Sequence, residues 1–169
     1  MIIRTSSLPT LSIITAIKNS ATTLLNCIES VLNQTFSAEH IIVDGGSTDG
    51  TIKIIEEQRE RIAHVISEPD RGIYDAMNKG IALATGDVVG ILNADDFYAH
   101  GEVLAKVAQV FADENVQACY GDLNYVDSIA TACIIRSWRS GSFHPQSFYW
   151  GWMPPHPTFF VRRSVYEKY

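Results

Sequence analysis

Residues 88–96, which read Val-Val-Gly-Ile-Leu-Asn-Ala-Asp-Asp, constrain the fold of this chain more than any other segment. An almost wholly apolar run leads into a polar corner that carries two adjacent carboxylates. A run this short, bounded by a Gly-Asp pair and an acidic turn, predicts a buried strand of a parallel sheet. In open α/β sheets, ligands bind just outside the carboxyl ends of such strands. Because adjacent acids repel each other, the corner predicts a bound cation, and with it a phosphate ligand.

The length and composition fit a globular α/β domain. The 169 residues are 46% hydrophobic and 19% charged, which is ordinary for a single domain with a core. The net charge of −6 indicates that nucleic acid is not a partner, because nucleic-acid-binding proteins usually carry a basic patch. Acidity does not exclude a phosphate ligand, since a divalent ion reverses the local charge. We predict one domain over residues 1–169.

The expected location of the chain is the cytoplasm. No apolar stretch reaches the roughly 18–20 residues of a membrane span, and residues 1–10 lack the apolar segment of a signal peptide. Peripheral association with the inner face of the membrane needs no span and stays open. Cys27, Cys119 and Cys133 are odd in number and form no CxxC pair, so we expect small core residues in a reducing compartment.

Strands and helices alternate in the first two thirds of the chain. This pattern predicts βαβ crossovers and a mostly parallel sheet flanked by helices. Ser47 or Thr48 is expected to cap the second helix. The predicted strands are 11–17, 40–44, 63–67 and 88–92, and the predicted helices lie near 24–32, 49–59, 72–84 and 103–111.

The pattern changes after residue 117. Residues 118–126 and 131–138 resemble longer, solvent-edged strands and are predicted to be antiparallel. Residues 141–157 are rich in aromatic residues, Pro and Gly and are predicted to form a functional loop. One more strand is predicted at 157–162, with a helix beginning near Ser164.

Polar side chains follow the second and third predicted strands. The glycines after Asp44 let a ligand approach the backbone, and the carboxylate could accept a hydrogen bond from a ring N–H such as that of uracil. A plain turn before a capped helix explains the same residues. Asp70 and Arg71 follow the third strand, where a helix cap and a solvated cation are the alternatives. Asn78 lies near the helix start that faces this edge, while Asp75 and Lys79 predict a surface ion pair.

The end of the fourth strand supplies the predicted metal ligands. Asn93 and Asp95 share a face of an extended chain, while Asp96 turns into the loop. A carboxylate together with substrate phosphate oxygens is the usual way to hold Mg²⁺ or Mn²⁺. With Thr15 and Asn19 after the first strand, four strand ends place polar groups along one edge of one sheet.

These residues together resemble the inverting, family 2 glycosyltransferases of GT-A fold. The match is dense from about residue 11 to residue 98 and thinner afterwards. The matching segments are 12–15 with Asn19, then 30–35, 42–51, 67–80, 84–87 and 92–96.

The resemblance implies a role for each matching residue. Asp44 would contact the nucleobase, and the segment Thr15–Asn19, with Ala16, would line the nucleotide pocket. Asp70 and Arg71 would border the base and ribose. Asn93, Ala94 and Asp95 stand at the family's DxD-type motif, with an amide in place of the first acid. Asp95 would bind Mn²⁺ or Mg²⁺ against the diphosphate, and Asp96 would be a second ligand. Lys18 replaces an aromatic residue that often stacks on the base.

The resemblance also implies a single displacement. An acceptor hydroxyl would attack the anomeric carbon of a nucleotide-diphospho-sugar, such as a UDP-sugar. The acceptor would be a saccharide or a lipid-linked saccharide in the synthesis of a cell-surface polysaccharide. The family's general base lies well downstream of the DxD motif, so it is expected beyond Tyr169. Residues 1–98 would form the nucleotide-binding half and residues 99–169 the start of the acceptor half. His144 and His156 are acceptor-side candidates.

Other functions remain open at this point. A non-catalytic or truncated module would bind a nucleotide-sugar without turnover. A phosphotransfer fold of receiver or phosphatase type also ends its strands in acids, but Asp44 lacks the neighbouring acids expected there. A dehydrogenase is disfavoured because no GxGxxG follows the first strand. Donor sugar, acceptor, linkage and oligomeric state are left undetermined.

Overall fold

The structure is a computed structural model that describes residues 8–169. Most of residues 1–10, for which we expected no signal peptide, therefore lies outside the described residues. The strands are β1 (Leu11–Ile17), β2 (Glu39–Asp44), β3 (His64–Ser67), β4 (Val88–Ile91), β5 (Ala118–Cys119), β6 (Leu123–Val126), β7 (Ile134–Trp138) and β8 (Phe160–Arg162). The α-helices are α1 (Leu24–Leu32), α2 (Thr51–Glu57), α3 (Ile73–Leu83), α4 (Val103–Val110) and α5 (Arg163–Lys168).

Six strands form one mixed sheet in the order β3-β2-β1-β4-β8-β5. The first four are parallel, as the alternation predicts, while β8 runs antiparallel to both β4 and β5. The chain therefore switches direction across the sheet between β1 and β4, with β2 on one side of β1 and β4 on the other. In doubly wound sheets, this switch point opens a crevice at the carboxyl ends of the strands.

Helices cover both faces of the sheet. Helices α1, α2 and α4 bury Cys27, Ile55 and Leu104 against one face. Helix α3 buries Ala76 against the other face, where Tyr166 of α5 also packs. Alternate residues of β1 serve the two layers, because neighbouring side chains on a strand point to opposite faces. The prediction of a mainly parallel sheet flanked by helices is confirmed.

Several local predictions were wrong. The strand predicted at 118–126 breaks at residues 120–122 into β5, which joins the main sheet, and β6, which pairs with β7 in a separate antiparallel hairpin. Neither Ser47 nor Thr48 caps α2, because the cap position is Gly50 at φ 105° and the N–H of Thr51 donates instead to Asp49, at 3.0 Å.

The expectation for the three cysteines holds only for part of the set. Cys27 is buried and Cys119 is half-buried, but Cys133 is exposed in the turn before β7. All three thiols are free. Among residues 8–169, no helix combines the length and apolar composition that a membrane crossing requires.

A close contact between β4 and β8 fixes the centre of the sheet. A Cβ atom placed on Gly90 would lie 2.5 Å from the ring of Phe160, which is itself buried against Tyr98. Residue 90 therefore has to be glycine for β8 to pack at this distance. The same register pairs Gly90 with Phe160 and Val88 with Arg162.

We expect Gly90→Ala to lower the free energy of unfolding by about 1–3 kcal/mol, because an added methyl group overpacks the Phe160 contact. Urea unfolding followed by circular dichroism measures the change. Gly121→Ala is the matched control, since its Cβ would meet nothing closer than 3.8 Å. Equal stability of the two variants would contradict this account of the strand contact.

A histidine of β2 turns its side chain into the core beside β1. His40 is 1% exposed, and its Nε2 lies 3.0 Å from the hydroxyl of Thr15. Its Nδ1 finds no hydrogen-bond partner among the described residues. Burial lowers the pKa of His40 from 6.5 to about 4, because the charged imidazolium cannot be solvated there.

This buried imidazole predicts acid sensitivity. Since the native state keeps His40 neutral, the unfolded state binds more protons between pH 6.5 and 4, and stability is lost as the pH falls through that window. Near pH 4 the free energy of unfolding is lower by about 3 kcal/mol for this reason. His40→Gln should remove this component in urea titrations at a series of pH values, whereas the exposed His144→Gln should not. Parallel pH profiles for wild type and His40→Gln would refute the assignment.

Candidate functional site

Two cavities meet at the carboxyl end of β4. The first has a volume of about 660 Å³ and lies over the switch point between β1 and β4. Its volume is in the usual range for small-molecule sites. It is lined by residues 16–20, Thr22, Thr23, Asp70, Gly72, Ile73, Ala76, Asn93, Ala94 and Asp95.

The second cavity, of about 700 Å³, lies on the other side of the same strand end. Its walls come from the β6–β7 hairpin and from the loop before β8. It is lined by Asn93, Asp95, Asp96, Leu123, Tyr125, Trp138 and residues 150–157. Asn93 and Asp95 line both cavities, so a group held by these two side chains is accessible from either side.

Asn93 connects the strand end to the loop before β8. Its amide nitrogen lies 3.0 Å from Nε2 of His156 and 3.4 Å from a carboxylate oxygen of Asp96. Because an amide N–H₂ can only donate, Nε2 of His156 is the acceptor in this contact. The amide oxygen of Asn93 is buried and has no hydrogen-bond partner in the described part of the chain. Such an orphaned acceptor marks a place where a ligand can bind.

The two acids differ in environment. Asp95 is exposed where the cavities join, and Asp96 is half-buried. Burial, together with the charge of Asp95, raises the pKa of the Asp96 carboxyl above its ordinary value. A cation between them would relieve both effects, because it favours the charged carboxylates.

The residues at this corner fit a divalent cation that shares its coordination with a ligand. Asp95, Asp96 and the free amide oxygen of Asn93 are hard oxygen donors of the type that Mg²⁺ and Mn²⁺ prefer. Within residues 8–169, no group of three or more His, Cys, Asp or Glu side chains is arranged to hold an ion by itself. A cation here would therefore need further oxygens from a bound phosphate or from water.

Asp44 is committed to its own turn. It is fully buried, and its carboxylate accepts hydrogen bonds from the N–H groups of Gly46 and Ser47, from the hydroxyl of Ser47, and from the hydroxyl of Ser67 at 2.7 Å. These bonds join the ends of β2 and β3. The side chain of Asp44 does not line either cavity.

The loops around the first cavity are tied together by side chains. Asn19, at φ 54°, donates its backbone N–H to the hydroxyl of Ser47 and accepts from the N–H of Thr48 at 2.9 Å. Asp70 packs on the backbone of Gly45, where a Cβ would come within 2.3 Å of the carboxylate. The glycine predicted to admit a ligand thus admits the side chain of Asp70.

The structure brings some predicted residues to the first cavity and not others. Ala16, Asn19, Asp70, Asn93, Ala94 and Asp95 line it. Thr15 does not, because strand alternation turns its side chain inward toward His40 and Cys27. Arg71 and Asn78 are exposed outside the lining, and Arg71 pairs with Asp75 at 3.0 Å.

On the second side, only one of the two candidate histidines reaches a cavity. His156 lines the second cavity, whereas His144 is exposed outside it. Asp122 lies outside both cavities and binds Arg139 at 2.7 Å, and this hydrogen bond lowers the pKa of its carboxyl. Glu167 pairs with Arg163 on α5.

Sequence reasoning missed several lining residues. Ile73 and Ala76 line the first cavity from α3. In the sequence they fit the pattern of ordinary core positions of an amphipathic helix. Trp138 and Tyr125 line the second cavity from β7 and β6, which carried no motif. The aromatic content of residues 141–157 was the one signal that pointed to this wall.

Residues 12–169 match the family model described as glycosyl transferase family 2. The chain belongs to this family. It is 39% identical over 121 residues to a PGL/p-HBAD biosynthesis glycosyltransferase of Mycobacterium bovis, a match that covers 68% of this chain and 47% of that protein. It is 36% identical over 121 residues to an uncharacterized glycosyltransferase of Nostoc, covering 69% of this chain and 37% of that protein. The chain thus spans less than half the length of these relatives.

Solved structures of GT-A glycosyltransferases share the fold. TarS of S. aureus in complex with UDP-GlcNAc superposes with a TM-score of 0.72 at 20% identity, covering 94% of this chain and 47% of TarS. The mannosyltransferase PcManGT from Pyrobaculum calidifontis, in complex with GDP-Man and Mn²⁺, gives a TM-score of 0.72 at 21% identity, covering 96% of this chain and 47% of that one. The resemblance to family 2 and the GT-A fold are both confirmed.

The hydrogen bonds to the buried carboxylate of Asp44 predict that it stabilises the fold. We expect Asp44→Asn to lower the free energy of unfolding by about 1–3 kcal/mol, because an amide N–H₂ would face donors that now bind a carboxylate. Urea unfolding measures the change, with the exposed Glu56→Gln on α2 as control. Unaltered stability of Asp44→Asn would show that the carboxylate does not hold the turn.

Proposed function

We propose that the protein transfers a sugar from a nucleotide-diphospho-sugar to an acceptor hydroxyl with inversion at the anomeric carbon. The first cavity would hold the donor and the second cavity the acceptor. The observation that carries the proposal is that Asn93 and Asp95 line both cavities, so the reacting groups can meet at the end of β4. Membership of glycosyl transferase family 2 supports it.

The donor would lie across the switch point of the sheet. Ala16, Asn19 and Ala94 would contact the nucleotide, with Asp70 at the ribose and base. Lys18 lines the same cavity and offers a cation to the diphosphate. Asp44 would support contact with the nucleobase indirectly, by holding the turn after β2 in place. Thr15, Arg71 and Asn78 stay predicted residues of the nucleotide site. We favour a UDP-sugar; TarS binds UDP-GlcNAc, whereas PcManGT binds GDP-Man.

Asp95 and Asp96 would bind Mn²⁺ or Mg²⁺, with donor phosphate oxygens completing the coordination. PcManGT is a relative in fold that carries Mn²⁺. The ion, when bound, neutralises charge on the leaving diphosphate. Asn93 and His156 would keep the strand end and the loop before β8 together, so that both acids stay at the junction of the cavities.

The reaction forms a bond between the acceptor oxygen and the anomeric carbon while the bond from that carbon to the diphosphate breaks. The acceptor proton has to pass to a general base. The acids that line the second cavity are Asp95 and Asp96, both proposed here as cation ligands. We therefore propose that the general base lies after Tyr169, as the family resemblance implies. Residues 1–98 would bind the nucleotide and residues 99–169 would begin the acceptor half.

The biological setting is proposed from the resemblance. We place the protein in the cytoplasm, in cell-surface polysaccharide synthesis, with a saccharide or lipid-linked saccharide as acceptor. Contact with the inner face of the membrane stays a prediction. One relative is named as a PGL/p-HBAD biosynthesis glycosyltransferase, which supports a role in a biosynthetic glycosyl transfer.

Nucleotide binding tests the donor site. With Mn²⁺ and UDP or GDP at about 100 times Kd, we expect the Tm to rise by roughly 5–10 °C, since the ligand binds only the native state. Asp95→Asn should remove most of this shift, because the diphosphate would lose its cation. Glu114→Gln, which changes an exposed acid in the turn after α4, should keep it.

Two outcomes would count against the proposal. If neither nucleotide shifts the Tm with Mn²⁺ or Mg²⁺, the first cavity is not a donor site. If nucleotide binds but no transfer of a radiolabelled sugar is detected in a longer chain that includes the segment proposed to carry the base, the non-catalytic binding module is favoured instead.

A further inference from the structure

The second cavity has two walls of opposite character. One face of the β6–β7 hairpin presents Leu123, Tyr125 and Trp138 to it, and Trp150 and Trp152 extend this apolar wall from the loop before β8. The facing wall consists of polar groups at the end of β4, namely Asn93, Asp95 and Asp96, with His156 beside them. The cavity is thus aromatic on one side and rich in hydrogen-bonding groups on the other.

The aromatic wall is built rather than incidental. The indole N–H of Trp152 donates to the carbonyl oxygen of Ser140 at 3.1 Å, and the rings of Tyr120 and Phe148 pack edge-on against it at 5.5 and 5.6 Å. Ser140 in turn binds Asp122 and Gly121 at the base of the hairpin. Trp152 therefore fixes the loop against the hairpin, while Trp150 lines the same cavity and is 89% exposed.

The lining of the cavity offers few cations to an anionic ligand. Its lining residues within the described chain include two carboxylates but no Lys or Arg. A phosphorylated acceptor would find no side-chain cation of its own there, because the divalent ion proposed at Asp95 and Asp96 is shared with the donor diphosphate. A purely apolar chain would leave the polar wall desolvated and unpaired, which is costly.

We propose that the second cavity binds a neutral pyranoside, whose C–H face stacks on Trp138 and Trp150 while its hydroxyl groups face Asn93, Asp95 and His156. A pyranose ring matches both walls, because its axial C–H groups form an apolar face and its hydroxyls form a polar rim. Stacking on a flat indole buries that face without asking the ring for hydrogen bonds. The inference rests on the proposed transfer and names the class of acceptor.

The test uses simple sugars as probes. Methyl α-D-mannopyranoside, methyl β-D-glucopyranoside and methyl β-D-galactopyranoside are titrated into the protein saturated with UDP and Mn²⁺. Saturation-transfer NMR reports which sugar protons contact the protein. Ribitol and glycerol 3-phosphate serve as an acyclic polyol and an anionic comparator. Nucleotide binding is measured in the same samples.

The variants separate stacking from general exposure. We expect Trp150→Ala and Trp138→Ala each to weaken pyranoside binding by about threefold to tenfold, whereas Trp150→Phe keeps a flat ring and most of the affinity. Tyr149→Ala is the matched control, because Tyr149 is 88% exposed and adjacent in sequence but does not line the cavity. UDP binding should be unchanged in all four variants.

The outcomes distinguish this inference from the proposed function. Pyranoside binding that is lost in Trp150→Ala and kept in Tyr149→Ala supports it. If UDP binds but no pyranoside does, if ribitol or glycerol 3-phosphate binds as well as the sugars, or if the tryptophan variants bind sugars normally, the inference is overturned and the donor site stands. If neither UDP nor GDP binds, the proposed function fails, and the inference that rests on it fails with it.

Discussion

Strand β8 can lie close against β4 because residue 90 has no side chain to keep Phe160 away. The rest of the site depends on this contact. Continuing the antiparallel register of β4 and β8 beyond the strands brings residue 156 level with residue 94, and the amide of Asn93 then reaches Nε2 of His156 at 3.0 Å. A packing contact inside the sheet thus places a residue from the last part of the chain beside acids that lie about sixty positions earlier.

This arrangement explains why the two cavities share a wall. The parallel part of the sheet opens a crevice between β1 and β4, as strand reversal does in other α/β folds. The antiparallel addition of β8 adds a second crevice on the far side of β4. Because one strand end forms the boundary, Asn93 and Asp95 belong to both crevices without any domain movement.

The sequence predicted the framework well because the signals there are local. Buried strands such as β1 and β4 show as apolar runs, and their ends show as abrupt polar corners. Side-chain direction was harder. Thr15 sits in the matching motif but points inward, and the carboxylate of Asp44 is occupied by its own turn. Trp138 reaches the second cavity through hairpin pairing, which depends on contacts between distant segments and leaves no short motif.

The end of β4 carries a local cost that the surrounding structure sustains. The amide oxygen of Asn93 is buried without a partner among the described residues, and Asp96 is partly desolvated beside Asp95. Replacing such groups with apolar residues would remove the penalty, so stability alone does not explain them. They are held in place by apolar residues immediately before them, including Val88, Val89 and Leu92, all of which are buried. A divalent cation would coordinate these oxygens together with the phosphate oxygens of a bound ligand, so the group that carries a cost in the free protein is one that ligand binding would satisfy.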